Sequence, residues 1–193
     1  FGWTWRDVAE KTAPIIKYAK DTGLHALFFP YDTTRARKDD LTNLCNYIMD
    51  HTAPDSIGIV NTMGCATPEA IKHMVRWVND MTGLPIEIHT HNDFGMGVAT
   101  ELAAVTAGAV CVHSCANGLG ERTGNAALEE LMMGLHLLYG YDTNYKLDKI
   151  PELAEMIARK SNIPIARNKP VLGHGNFIRE SGIGINYVMN DPL

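Results

Sequence analysis

The sequence alternates short apolar segments with longer amphipathic ones, and this alternation limits the folds that the chain can adopt. Each apolar segment ends in polar residues and is followed by a stretch with helical spacing of its apolar positions. The apolar segments are Leu24–Phe29, Ser56–Val60, Ile86–His91 and Ala109–Cys115. Because parallel strands need a crossover helix between them, these successive strand–helix units predict an α/β fold with a parallel sheet.

The helical segments have recognisable ends. Thr67, Pro68 and Glu69 combine an N-cap, a first-turn proline and an acid near the positive end of the helix dipole. The predicted helices cover residues 3–23, 39–51, 68–80, an alanine-rich segment ending near Gly108, 125–140 and 150–159. We expect a buried apolar set on the fifth helix, made of Met132, Met133, Leu135, Leu137 and Leu138.

Two parallel architectures fit this pattern, a doubly wound sheet and a (β/α)8 TIM barrel. Side chains that can bind ligands follow every strand, namely Asp32, Thr34 and Arg35, then Asn61 and Thr62, then His89 and His91, then Asn117. In a barrel these positions converge on one face, whereas an open sheet uses mainly its switch point. The sequence therefore favours a barrel.

A complete (β/α)8 barrel takes about 250 residues, so four units make about half of one. We expect residues 1–140 to be the C-terminal half of the barrel, with the other half before Phe1. Residues 141–193 are expected to hold a linker helix and the start of a C-terminal subdomain, as a Gly/Asn-rich extension that is partly helical and partly irregular. Half a barrel leaves two unpaired strand edges, which calls for a partner.

Charge and composition exclude several classes of function. A formal net charge of -5 gives no broad basic footprint, so nucleic-acid binding is not expected. Apolar runs fall short of the roughly 20 residues that cross a bilayer, so no membrane association is expected. The four cysteines form no CxxC pair, a pattern typical of a protein in the reducing cytoplasm.

The most specific local signal is His89-Thr90-His91 at the end of the third strand. Residues i and i+2 share a strand face about 6.5 Å apart, so both imidazoles can converge on one divalent metal ion. The alternative is two histidines held by hydrogen bonds in the core. Two imidazoles leave Mg²⁺, Mn²⁺, Zn²⁺, Co²⁺ and Fe²⁺ open as the ion.

The glycine-rich segment of residues 117–125, NGLGERTGN, follows the fourth strand. It lacks the Gly-Lys-Ser/Thr ending of a P-loop and the spacing of a dinucleotide fingerprint. One interpretation is a tight surface loop with a Glu121/Arg122 pair. The other is a loop that folds over the barrel mouth, where Asn125 offers its carbonyl oxygen to the metal.

Two motifs together carry a resemblance to a known family. The segments His89-Thr90-His91-Asn92-Asp93-Phe94-Gly95-Met96-Gly97 and NGLGERTGNAALEE, residues 117–130, closely resemble those of the isopropylmalate, homocitrate and citramalate synthases. These enzymes belong with hydroxymethylglutaryl-CoA lyase to the pyruvate-carboxyltransferase-like DRE-TIM metallolyases. The resemblance extends from about Phe28 to Asp191, and the lyases are less similar because they have a cysteine-bearing loop at Gly120-Glu121-Arg122.

The resemblance implies that His89 and His91 bind a divalent metal cation, with Asn125 completing or adjoining its ligands. Thr62 falls where such enzymes contact the 2-oxo acid, and Asn92 and Asn117 within the two motifs are assigned to substrate binding with it. The implied partners are a 2-oxo acid and an acyl-CoA. The implied assembly is a homodimer, in which residues 173–187 reach the other subunit. The family's first-strand acid has no counterpart here.

The chain departs from the family pattern where catalytic groups are expected. Tyr31 replaces a glutamate, Asn61 replaces an aspartate, and Gly184 replaces a histidine that helps to enolise the acyl-CoA. Tyr31 is therefore a candidate acid or oxyanion donor, with a packed aromatic ring as the alternative. Arg35 is a candidate for orienting an acid, with a plain salt bridge to Asp32 as the alternative. His113 and His174 are further candidates for imidazole chemistry.

The resulting hypothesis is a metal-dependent acyltransferase that condenses an acyl-CoA, in the first place acetyl-CoA, with a 2-oxo acid. Two alternatives stay open at this point. One is an aldol- or Claisen-type lyase on the same barrel and metal. The other is a non-catalytic half-barrel that acts as an assembly partner.

Overall fold

The structure is a computed structural model that describes residues 2–190. Phe1 and residues 191–193, where several of the predicted ranges begin or end, lie outside the described part. The helices and strands in chain order are α1 Trp5–Asp21, β1 Leu27–Phe28, α2 Lys38–His51, β2 Ser56–Asn61, α3 Pro68–Thr82, β3 Ile86–Thr90, α4 Gly97–Ala107, β4 Cys111–His113, α5 Leu128–Met133, α6 Ile150–Ser161 and α7 Gly182–Asn190.

The four strands form one parallel sheet in the order β1-β2-β3-β4. Each strand therefore pairs with its predecessor in sequence, and the strand order does not reverse within the described sheet. A doubly wound fold has such a reversal, whereas a barrel does not. The parallel α/β prediction is confirmed, and the strand order agrees with successive units of a barrel.

The core lies between the sheet and the helices that cover one of its faces. Ile86 and Ile88 of β3 are buried in this core, while the alternate residues Glu87 and His89 face the opposite side of the sheet. β2 is buried along its whole length. The alternation along β3 gives the sheet one apolar face for packing and one face that carries polar side chains.

The helix ends follow the sequence signals. Thr67 caps α3, where its hydroxyl accepts a hydrogen bond from the Ala70 backbone amide at 3.3 Å. Gly83 and Gly108 end α3 and α4 in the left-handed conformation. These caps satisfy backbone groups that a helix leaves unpaired at its ends.

The prediction for the segment after the fourth strand is partly wrong. The helix expected over 125–140 begins only at Leu128, because Asn125 instead pairs with His91 in an antiparallel bridge. After Met133 the helix widens into a π-helical turn, Gly134–Leu138. The changed helical register leaves Leu137 and Leu138 exposed, contrary to their predicted burial. The C-terminal extension, expected to be helical and irregular, contains the helix α7.

Contacts divide the chain into two compact units, Phe1–Leu131 and Met132–Leu193. The first unit holds the sheet and the second holds α6 and α7. The assignment of residues 1–140 to the half-barrel and 141–193 to a further subdomain stays a prediction. Over the described residues, helices long and apolar enough to span a membrane are absent. The four cysteines are free thiols.

Candidate metal centre

His89 and His91 lie side by side at the carboxyl end of β3. Their ring centroids are 5.2 Å apart and their planes are nearly perpendicular. His91 is buried, and its Nδ1 atom has no hydrogen-bond partner among the described residues. A buried imidazole nitrogen without a partner is costly unless a ligand binds it, and a cation is a suitable ligand.

The protonation of His89 suits the same role. Burial lowers the pKa of His89 to about 4, and the neighbouring His91 and His113 contribute to the lowering. The ring is therefore neutral at pH 7, with a lone pair available for a metal. A neutral His89 and an unpartnered His91 nitrogen fit a divalent metal cation.

Asn125 reaches this pair through a short extended segment. The backbone amide of Asn92 donates to the Gly124 carbonyl at 2.9 Å, and the amide of Ala126 donates to the Thr90 carbonyl at 3.3 Å. These bonds place the Asn125 side-chain Nδ2 3.3 Å from His89 Nε2. The sequence prediction that Asn125 lies beside the histidines agrees with this geometry.

The orientation of the Asn125 amide bears on its predicted role. Its Nδ2, rather than its oxygen, faces His89, and the same nitrogen donates to the Thr90 carbonyl at 3.2 Å. The Oδ1 atom lies 3.8 Å from the Cys115 thiol. To offer oxygen to a metal on His89, the amide would have to turn over and give up the bond to Thr90. Asn125 as a metal ligand stays a prediction.

The glycine-rich loop is held against the site by one arginine. Arg122 Nε and Nη2 donate to the two carboxylate oxygens of Asp93 at 2.8 and 2.9 Å. Nη2 also donates to the Thr62 carbonyl oxygen at 2.5 Å. The hydrogen bonds of Arg122 thus go to residues of two other loops, Asp93 and Thr62. Glu121, its neighbour in the same loop, lies 3.7 Å from its Nη1.

Two glycines allow the close approach of this loop. A Cβ at Gly120 would overlap Asn125 Oδ1, and a Cβ at Gly124 would overlap the Gly118 carbonyl oxygen. Gly124 also has a φ of +94°, which other residues rarely adopt. The loop therefore needs glycine at both positions to place Asn125.

The three predicted substrate contacts, Thr62, Asn92 and Asn117, take part in local hydrogen bonds. Thr62 is buried, and its hydroxyl accepts from the Asp32 amide at 2.9 Å. Asn92 Oδ1 accepts from the Gly97 amide at 2.9 Å, at the start of α4. Asn117 has a φ of 59°, and its backbone amide donates to the Glu129 side-chain Oε2 at 3.0 Å. Their substrate roles stay predictions.

Tyr31 precedes the 3-10 turn that follows β1, and Arg35 is the last residue of that turn. The Tyr31 side chain is exposed, whereas the alternative considered for it was a packed ring. Arg35 Nε donates to both Asp32 carboxylate oxygens at 3.0 Å, and Nη2 donates at 2.5 Å. This is the salt bridge considered as the alternative for Arg35. A catalytic role for either residue stays a prediction.

Comparison with known proteins identifies the family. The family model described as HMGL-like matches residues 1–157. The chain belongs to the HMGL-like family. The chain is also 38% identical over 186 residues to a homocitrate synthase of Methanopyrus kandleri. That alignment covers 96% of the chain and 47% of the synthase. It is 38% identical over 187 residues to a 2-isopropylmalate synthase of Methanocaldococcus jannaschii, over 97% of the chain and 36% of that protein.

The HMGL-like fold is also evident in solved structures. The hydroxymethylglutaryl-CoA lyase of Bacillus subtilis superposes with a TM-score of 0.68 at 22% identity, over 84% of this chain and 59% of the lyase. The chain spans less than half the length of the two synthases named above. The TIM-barrel prediction is thus confirmed, and the described sheet is about half of the barrel of this family.

A second polar cluster lies on the same face of this HMGL-like sheet and was not singled out from the sequence. His113 Nε2 is 2.9 Å from Glu87 Oε2, and Ser56 Oγ donates to Glu87 Oε1 at 2.6 Å. His113 had been considered only as an isolated candidate. The sequence does contain a signal for this cluster. Glu87 precedes His89 by two residues and Cys111 precedes His113 by two, so the members of each pair share one strand face.

Proposed function

We propose that the protein containing this chain is a divalent-metal-dependent acyltransferase that condenses an acyl-CoA, first of all acetyl-CoA, with a 2-oxo acid to a 2-hydroxy dicarboxylate. The observation that carries the proposal is the pair of His89, neutral at pH 7, and His91, with its unpartnered buried nitrogen. The pair lies at the carboxyl end of β3, where barrel enzymes place their active sites. Relatives that are named homocitrate and 2-isopropylmalate synthases support the reaction class.

In this proposal His89 and His91 hold the metal, with Asn125 as a third ligand or as a neighbour that orients His89. When bound, a divalent cation supplies Lewis-acid polarisation of a carbonyl group. Thr62, Asn92 and Asn117 would then orient the 2-oxo acid. Two contacts support this arrangement, the hydrogen bond from Arg122 to the Thr62 carbonyl and the bridge between His91 and Asn125. Together they bring Thr62 and Asn125 to one end of the sheet.

Tyr31 and Arg35 are the proposed catalytic groups of this chain. The exposed Tyr31 hydroxyl is free to donate a hydrogen bond to a developing enolate oxygen, which stabilises negative charge. Arg35 is held by Asp32 in a fixed orientation, and its remaining donors can orient a carboxylate. A homodimer and a cytoplasmic location stay predictions from the resemblance and the cysteine pattern.

The test uses the full-length gene product after its metal has been stripped. Mn²⁺ and Mg²⁺ are titrated calorimetrically with and without 2-oxo acids, and release of free CoA is then measured with acyl-CoA and 2-oxo acid pairs. We expect metal binding to strengthen with an oxo acid and to disappear in His89→Ala. The matched control is His73→Ala, because His73 is an exposed histidine of α3.

Each outcome separates the alternatives. Metal-dependent CoA release in the presence of a 2-oxo acid supports the synthase. Metal-dependent cleavage of a 2-hydroxy or 3-hydroxy acid, without condensation, indicates the lyase. Equal and weak metal binding by the wild type and His89→Ala would show that the histidines are structural, and would favour the assembly partner.

A further inference from the structure

Glu87, Cys111 and His113 bring three different metal-ligating atoms together on neighbouring strands. The carboxylate oxygen, the thiol sulfur and the imidazole nitrogen all lie within 4.8 Å of one another. Strand register explains the convergence, because Glu87 pairs with Cys111 and His89 pairs with His113 across β3 and β4. The cluster is therefore a consequence of the parallel ladder rather than of a loop.

We propose that Glu87, Cys111 and His113 form a second metal site, which binds a thiophilic divalent cation of the Zn²⁺ type. Thiolate, imidazole and carboxylate are the three ligand types that Zn²⁺ takes, at distances of about 2.0 to 2.3 Å. Ions such as Mg²⁺ and Ca²⁺ prefer oxygen ligands and would be disfavoured by the sulfur. Three protein ligands leave the fourth tetrahedral position open.

The surroundings of the cluster orient two of its ligands. Ser56 Oγ donates to Glu87 Oε1, which leaves Oε2 turned towards His113. Phe29 stacks almost parallel on the His113 ring, with centroids 5.5 Å apart. Such outer partners fix the direction of a metal ligand and are typical of built metal sites. His25 Nε2 extends the network, at 3.3 Å from Ser56 Oγ.

The second site shares no ligand with the His89/His91 pair. Glu87 is two residues before His89 on the same strand face, which separates the two positions by about 6.5 Å along the strand. The His89 and His113 ring centroids are 5.8 Å apart. The two sites can therefore be removed independently by substitution.

The test loads the metal-stripped, full-length protein with Co²⁺, because ligation by a thiolate gives a charge-transfer absorption that imidazole and oxygen ligands do not. We expect this absorption in the wild type and in the His89→Ala/His91→Ala double variant. We expect it to disappear in Cys111→Ser and to persist in Cys65→Ser, which changes an exposed cysteine outside the cluster. Circular dichroism establishes that each variant is folded.

A second measurement avoids dependence on one variant. Glu87→Gln keeps the size of the side chain but removes its charge, and we expect the Kd for Zn²⁺ to rise at least tenfold. Three results would overturn the second site: no charge-transfer absorption in the wild type, equal absorption in Cys111→Ser, or its complete loss in the double histidine variant. An unchanged Zn²⁺ Kd in Glu87→Gln would do the same.

Discussion

Arg122 and Asp93 form a two-point ion pair that ties together the loops after β3 and β4. The two N–H···O distances are 2.8 and 2.9 Å, and Arg122 reaches the Thr62 carbonyl after β2 as well. One guanidinium thus connects the three loops that carry the candidate metal and substrate residues. Arg122 adopts a φ of 56°, so the pair also stabilises an uncommon backbone conformation.

Arg122→Lys should loosen this connection. Lysine keeps the charge but cannot form two parallel bonds to a carboxylate and a third to a carbonyl. We expect the full-length protein to lose unfolding free energy, and the loss to be modest because solvent screens this partly exposed pair. Urea unfolding measures the loss, and Arg37→Lys at an exposed guanidinium is the control. Equal stability of both variants would show that the pair does not hold the loops.

Gly120→Ala should displace Asn125 from the histidines. The new Cβ would overlap Asn125 Oδ1, so the Asn125 side-chain amide would have to leave its place beside His89. We expect the affinity for Mn²⁺ to fall at least tenfold, as measured by calorimetry. Gly182→Ala is the matched control, because a Cβ there meets nothing within 4 Å. Wild-type affinity in Gly120→Ala would exclude a role for Asn125 at the metal.

Thr67→Ala should destabilise the protein through α3 alone. The Thr67 hydroxyl satisfies the Ala70 amide at the start of the helix, and loss of such a cap costs about 1 kcal/mol. Thr67→Ser retains the accepting oxygen and should restore most of the unfolding free energy. Thermal or urea unfolding of the three proteins compares them. A Thr67→Ser variant as unstable as Thr67→Ala would mean that the methyl group, and not the cap, matters.

The sequence predicted those features that depend on local patterns. The i, i+2 spacing along β3 was sufficient to predict that the His89 and His91 rings lie side by side, and Thr67 marked the start of α3. Both follow from the fixed periods of strands and helices. The parallel sheet followed in turn from the repetition of these units.

Strand register and the distant contacts that shape loops could not be predicted from the sequence. The cluster around Glu87 exists because β3 and β4 pair Glu87 with Cys111, and strand periodicity does not specify that register. The segment at Asn125 was assigned to a helix, although its bridge to His91 makes it extended. That bridge depends on a distant contact, and tertiary contacts override local propensity.

Glu101 provides a prediction that is independent of any metal. Its side chain is fully buried in α4, where Oε1 accepts from the Thr90 hydroxyl at 3.2 Å and Oε2 has no partner among the described residues. Burial raises the pKa of Glu101 to about 9. The folded protein therefore holds this carboxyl protonated at pH 7, whereas the unfolded chain ionises it above about pH 4.5.

The sign of the pH effect follows from this difference. Between about pH 4.5 and 9 the folded state binds the additional proton, so the contribution of Glu101 to stability falls as the pH rises, by at most about 1.4 kcal/mol per pH unit. Glu101→Gln is neutral at every pH and keeps an oxygen for Thr90. We expect it to be more stable than the wild type at pH 8 and to flatten the decline, in urea unfolding at pH 5 to 8. Glu155→Gln, at an exposed glutamate, should leave the profile unchanged. Parallel pH profiles for the wild type and Glu101→Gln would show that Glu101 is ionised in the folded protein.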